Sequence, residues 1–142
     1  MSKPLYIVWQ DAFMQGEPII DEQHRGVLAT INSLHYFLQQ GQGLEALMPT
    51  VKILVSYLLF HFKTEEGILT AAEYPRMAEY NRYAKETVDE FKHICQQSAK
   101  YKEPEQVLIF LKDWWHRHLQ MHEHITPYLH NWSGEYCRVD QH

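Results

Sequence analysis

The placement of proline and glycine constrains this chain more than any other feature. Pro18, the run Gly41-Gln42-Gly43, Tyr74-Pro75, Pro104 and Pro127 divide it into blocks. Each block is long enough for a helix, and none alternates polar with apolar residues as a half-buried strand would. Helical periodicity fills the blocks instead. Ile20, His24, Leu28, Ile31, His35 and Leu38 recur at spacings of three and four over residues 18 to about 38. Val51, Leu54, Leu58, His61, Glu65 and Ile68 share a face over about 44 to 72, with Pro49 in the first turn or at a kink. Met77, Tyr80, Ala84, Val88, Phe91 and Cys95 mark a third helix from 75 or 76 to about 100. Leu108, Leu111, Trp115, His118, His122 and Ile125 mark a fourth that restarts at Pro104. Pro127 should bend or end it, because proline has no N–H to donate. Short connections favour antiparallel neighbours, so the expected fold is all-α: an up-down-up-down four-helix bundle with a non-helical N-terminal arm.

At 142 residues the chain has the size of one domain. It is read as an arm over 1–18, a bundle over about 19–130 and a short C-terminal tail. Thirteen Lys and Arg against eighteen Asp and Glu leave a net charge of −5. That balance lacks the basic footprint that phosphate recognition requires, which argues against nucleic acid and anionic membrane as partners. The longest nearly apolar stretch, residues 53–60, is broken by Ser56 and falls short of the ~20 residues of a spanning helix. The first nine residues carry one cation and no long apolar run, so no signal peptide is expected and a cytoplasmic location follows by default. Cys95 and Cys137 show no metal-ribbon spacing and are read as free thiols, with Cys95 in the core.

Histidine is the compositional anomaly, with ten in the chain. At ~1.5 Å rise per residue, depth in an antiparallel bundle can be counted along each helix. On that count His24 of the first helix, His61 and Glu65 of the second and His118 and Glu123 of the fourth fall in one layer. A carboxylate buried among imidazoles is costly unless hydrogen bonds or a metal compensate it, and a metal accounts for the whole set. His61 and Glu65 are four residues apart and project from one helical face, as do His118 and His122. Mixed imidazole and carboxylate donors suit iron, manganese or zinc. His35 lies too far along its helix from His24 to join the layer and is read as a hydrogen-bonded core residue. His116, His124 and His130 fall on outward phases or near a frayed end.

Trp9, Ile20-Asp21-Glu22-Gln23-His24, His61-Phe62-Lys63-Thr64-Glu65-Glu66, Tyr74-Pro75 and Trp114-Trp115-His116-Arg117-His118-Leu119 occur in an order and spacing that resembles the hemerythrin family, specifically its bacterial hemerythrin-like members. The resemblance extends over residues 9 to about 129. It implies a four-helix bundle holding two irons through histidines and two bridging carboxylates, with an open position for dioxygen on one iron. By position, His24 and His61 would serve the open iron, Glu65 would be one bridge and His118 would serve the second iron. The other bridge, an aspartate in the family, falls on Glu123, which keeps the charge and adds a methylene. The family's two helix-three histidines fall on Tyr80 and Ala84. Tyr80 could then ligate as a phenolate, or pack and hydrogen-bond a carboxylate; the two roles stay open. His122, one turn beyond His118, could repair the second site but is expected to reach solvent.

The resemblance thus implies iron as the cofactor, two ions if the second site is rescued and otherwise one. The metal set expected is His24, His61, Glu65, His118, Glu123 and Tyr80. The preferred function is a binding protein or sensor for a small ligand such as dioxygen, nitric oxide or peroxide. An oxidase- or peroxidase-type enzyme and a metal-depleted interaction module are the alternatives.

Overall fold

The computed structural model describes residues 5–136. A short 3-10 turn, η1 (Asp11–Phe13), precedes four helices: α1 (Pro18–Gln39), α2 (Leu44–Ala71), α3 (Met77–Tyr101) and α4 (Glu105–Tyr136). No strand occurs among the described residues. Pro18 opens α1 with its ring pre-set for the helix, and the Glu17 carboxylate accepts from the Ile19 N–H at 2.9 Å. Between α1 and α2 the chain turns through Gly41 at φ 81°, where a Cβ would be strained. Lys102 closes α3 in the left-handed conformation, with the Glu103 N–H returned to Ser98 O at 2.9 Å.

The helices pack α1 on α2, α2 on α3, α3 on α4, and α4 back on α1 and α2, which makes a four-helix bundle. Contacts run in opposite senses along successive helices. Residues early in α1 meet residues late in α2, as in Gln23 with Thr64, whereas Leu34 and Leu38 share a gap with Leu47 and Val51. Phe91 stacks on Phe110 and Tyr83 on His118, so α3 descends as α4 rises. The core includes Ile20, Ile31, Leu54, Leu58, Leu69, Phe91, Leu111, Trp114 and Ile125, all fully buried. Cys95 lies in it as expected, and its burial raises the thiol pKa to about 11. Cys137 lies outside the described residues.

Of the two outcomes expected at Pro127, a bend or an end, the end does not occur: α4 continues to Tyr136. The proline is exposed, and Ile125 and Leu129 on either side of it are fully buried, so packing holds the helix through the missing hydrogen bond. The apolar character of α2 also runs further than residues 53–60. From Glu45 to Ala71 it is long and apolar enough to cross a membrane by length and composition alone. His61 and Glu65 interrupt that run on the face turned to the core.

The N-terminal arm is tied to the bundle by side chains that also frame the histidine layer. Asn32 holds Ile7 from both sides, its Oδ1 accepting the Ile7 N–H and its Nδ2 donating to Ile7 O, each at 2.9 Å. The Asp21 carboxylate accepts from the N–H groups of Gln15 and Gly16 at 2.7 and 3.1 Å. Edge-to-face contacts then pass inward from Trp9 to Phe13, from Phe13 to Trp115 and from Trp115 to the His24 ring, at 5.5, 5.4 and 5.1 Å.

Candidate metal centre

Three helices bring five side chains to one point inside the bundle. His24 comes from α1, His61 and Glu65 from successive turns of α2, and His118 and His122 from successive turns of α4. All are buried, and their donor atoms lie within 4.8 Å of one another. The Nε2 atoms of His24, His61 and His118 form a triangle with sides of 3.0, 3.1 and 3.2 Å. Glu65 Oε2 stands 2.5 Å from His122 Nε2 and 3.0 Å from His61 Nε2, with the His118 and His24 nitrogens at 3.7 and 3.8 Å.

The hydrogen bonds outside the cluster decide which nitrogens can face inward as lone pairs. Thr64 donates its hydroxyl to Phe60 O and accepts from the Gln23 amide N–H, at 3.1 Å each. That fixes Gln23 Oε1 as the acceptor of the His61 Nδ1 proton at 2.9 Å, so His61 Nε2 is unprotonated in the neutral ring. A second relay orients His122. Thr126 donates to Gln15 Oε1 at 2.6 Å and stands 3.2 Å from His122 Nδ1, which turns His122 Nε2 inward to a hydrogen bond of 2.5 Å with Glu65 Oε2. His118 Nδ1 sits 2.7 Å from the Tyr83 hydroxyl, which also accepts from the Trp114 indole N–H at 3.1 Å. His24 Nδ1 has no hydrogen-bond partner among the described residues.

Electrostatics follows the same crowding. Burial, reinforced by the neighbouring imidazoles, holds His24 well below the ordinary histidine pKa. Burial does the same to His118 and outweighs the attraction of Glu65. For Glu65 burial alone would raise the pKa, but His61, His122 and His118 together hold the carboxyl well below the usual range. Neutral imidazoles at His24 and His118 and an ionised carboxylate at Glu65 are protonation states that ligate a cation.

Of the residues expected at the site, His24, His61, Glu65 and His118 meet in the cluster. Tyr80 is buried beside it and donates its hydroxyl to Glu65 Oε1 at 2.6 Å. Burial first, and then the Glu65 charge, push the phenol pKa well above its ordinary value, which keeps the donor protonated. This contact is of the hydrogen-bonding kind, one of the two roles the sequence leaves open. Glu123 is exposed and lies outside the cluster. His122, expected in solvent, is buried within it. Helical phase gives the reason: four residues past His118 turn the side chain by only about 40°, whereas five turn it by about 140°. The sequence reading also missed Gln23, Thr126 and Gln15, the outer partners that orient the rings. Gln23 immediately precedes His24, but nothing in its spacing foretells a bond to a histidine on another helix. A groove between the arm and α4, lined by Phe13, Gln15, His116, His122 and Thr126, reaches the edge of the cluster from the surface.

A four-helix bundle with a buried imidazole and carboxylate cluster of this geometry defines a cation-binding helical class. The sequence profile described as "Hemerythrin HHE cation binding domain" matches residues 15–129. The chain belongs to the hemerythrin family. It is 39% identical over 69 residues to a bacteriohemerythrin of Pseudomonas aeruginosa, covering 49% of this chain and 44% of that protein. A bacteriohemerythrin of Stenotrophomonas maltophilia is 34% identical over 76 residues, covering 54% of this chain and 49% of its own length. The chain thus spans about half the length of these relatives.

Proposed function

We propose that this protein is a hemerythrin-like iron protein that binds a small ligand, dioxygen, nitric oxide or peroxide, at the buried cluster. The observation that carries the reading is the convergence of four imidazole nitrogens and one carboxylate oxygen within 4.8 Å. One of those nitrogens, His61 Nε2, is left unprotonated by the bond its ring makes outside the cluster. So many lone pairs meeting in a buried space repel one another unless a cation lies among them. His24, His61, Glu65 and His118 would hold the ion, and iron suits this mixture of nitrogen and oxygen donors. The relatives' name, bacteriohemerythrin, supports iron and a dioxygen-type ligand.

Iron, when bound, supplies a redox-active centre at which such a ligand can be taken up. The surrounding residues set the conditions. Tyr80 holds a proton at Glu65 Oε1, where it restrains the carboxylate. Trp115, Trp114 and Phe62 close the cluster off from water, and the groove lined by His122 and Thr126 offers a path for a small molecule.

The test is an anaerobic titration of ferrous-loaded protein with nitric oxide, and separately with dioxygen and peroxide, followed by visible absorption. The reading expects a saturable spectral change with at least one of them, lost in His61→Ala. Iron-loaded protein whose spectrum none of the three alters would contradict it.

A further inference from the structure

We propose that the cluster holds one metal ion per chain in place of the family's pair, with His122 as the fifth donor. The inference rests on the reading that the cluster binds iron and deepens it by fixing the ion count and the donor set.

A two-ion centre needs bridging carboxylates and enough terminal imidazoles to complete two coordination spheres, and the described residues do not provide them. Glu65 is the only carboxylate in the cluster. Its Oε1 accepts the Tyr80 hydroxyl at 2.6 Å, which uses one of the lone pairs a bridging carboxylate would offer. Glu123, at the position of the second bridge, is exposed, and the helix-three positions hold Tyr80 and Ala84. These residues do not fit a di-iron centre.

The spacing of His24, His61, His118 and Glu65 fits a single ion. With metal–nitrogen bonds of ~2.1 Å, donors that are neighbours around one ion stand ~3 Å apart and opposite donors ~4 Å apart. The three Nε2–Nε2 distances, 3.0 to 3.2 Å, and the 3.0 Å from His61 Nε2 to Glu65 Oε2 are of the first kind. The 3.7 and 3.8 Å from Glu65 Oε2 to His118 and His24 lie between the two, and the 2.5 Å hydrogen bond from His122 Nε2 to Glu65 Oε2 would open by about 0.5 Å when both atoms ligate one ion. Two ions ~3.5–4 Å apart would set terminal donors on their far sides beyond about 5 Å, outside the 4.8 Å that encloses this group.

His122 is built into this arrangement. The Gln15–Thr126–His122 relay anchors the ring through Nδ1 and turns Nε2 inward to within 2.5 Å of Glu65 Oε2. An outer hydrogen bond of this kind orients a metal-ligating imidazole. His122 thereby supplies, from α4, an imidazole in a cluster to which α3 contributes none. Thr126 is a positioning residue that acts through it.

The experiment is an anaerobic titration of the full chain with ferrous iron, followed by gel filtration, elemental analysis of iron per chain, and electron paramagnetic resonance of the oxidised sample. The expected result is one iron per chain with a mononuclear high-spin ferric signal accounting for all of it. Two irons per chain with a silent, coupled ferric pair would overturn the single-ion inference and leave the iron-binding reading standing. No iron uptake would overturn that reading and this inference with it. Thr126→Val should weaken iron binding by roughly 10–100-fold and His122→Ala by at least as much, while Thr126→Ser retains the affinity. Variants whose circular dichroism matches the parent serve this comparison. Unchanged affinity in a folded His122→Ala variant would overturn its role as a donor.

Discussion

At the scale of single residues, the site depends on which atom each side chain has free. The resemblance places Tyr80 where a family ligand is expected, and its hydroxyl proton is committed to Glu65 Oε1 at 2.6 Å in full burial. Tyr80→Phe leaves that carboxylate oxygen without its donor while keeping the ring. The iron-free variant should lose about 1–3 kcal/mol in urea denaturation, the cost of a buried group left unsatisfied. Its capacity for iron should stay the same, and unchanged stability would mean that water or another donor replaces the hydroxyl. His24, His61, Glu65 and His118 were legible from the sequence because their helical phase and depth agree on one layer. His122 and Glu123 were not, since family position favoured Glu123 while the helix turns His122 toward His118's face. Tyr80 was legible only as a choice of two roles, because a tyrosine's hydrogen-bond partner depends on which oxygen of Glu65 faces it.

At the scale of helices, proline and glycine set most of the boundaries. The first helix, expected to follow Pro18, starts at it, and α2 and α3 lie within a residue or two of their expected ends. A local rule about a missing N–H leaves open whether Pro127 bends or ends the helix, because it says nothing of the packing on both sides, where Ile125 and Leu129 are fully buried. His35 shows the same limit. It is half-buried, stacked on Tyr6 at 4.9 Å and 3.3 Å from Gln39 Nε2, so the arm covers it where the sequence suggested the core. The arm itself reads as irregular chain in the sequence. Its function as a brace, with Gln15 reaching Thr126 and Asp21 holding the backbone at 15 and 16, depends on contacts between residues distant in sequence.

At the scale of the whole molecule, the protein builds a polar cluster into the middle of an apolar core, and its stability should record that. In the iron-free protein the folded-state pKa values of His24 and His118 lie well below 6.5, and that of Glu65 well below 4.5. The unfolded chain therefore binds more protons than the native one, from about pH 6.5 downward for the histidines and near 4.5 for the glutamate. The stabilising contribution is fully present above pH 6.5 and is lost as the pH falls, at up to roughly 1.4 kcal/mol per pH unit for each group. Urea midpoints measured at pH 7.5, 6.5 and 5.5 should decline through the lower interval. A flat profile would mean that the cluster is not held neutral in the fold. Iron should shift the decline to lower pH, because protons must displace it before they reach the imidazoles. The central claim is that an ion sits among these donors, and anomalous diffraction at the iron edge from crystals of the iron-loaded protein tests it most directly. The account predicts one peak per chain, bounded by the Nε2 atoms of His24, His61, His118 and His122 and by Glu65 Oε2. A peak elsewhere, two peaks in the cluster or none would contradict it.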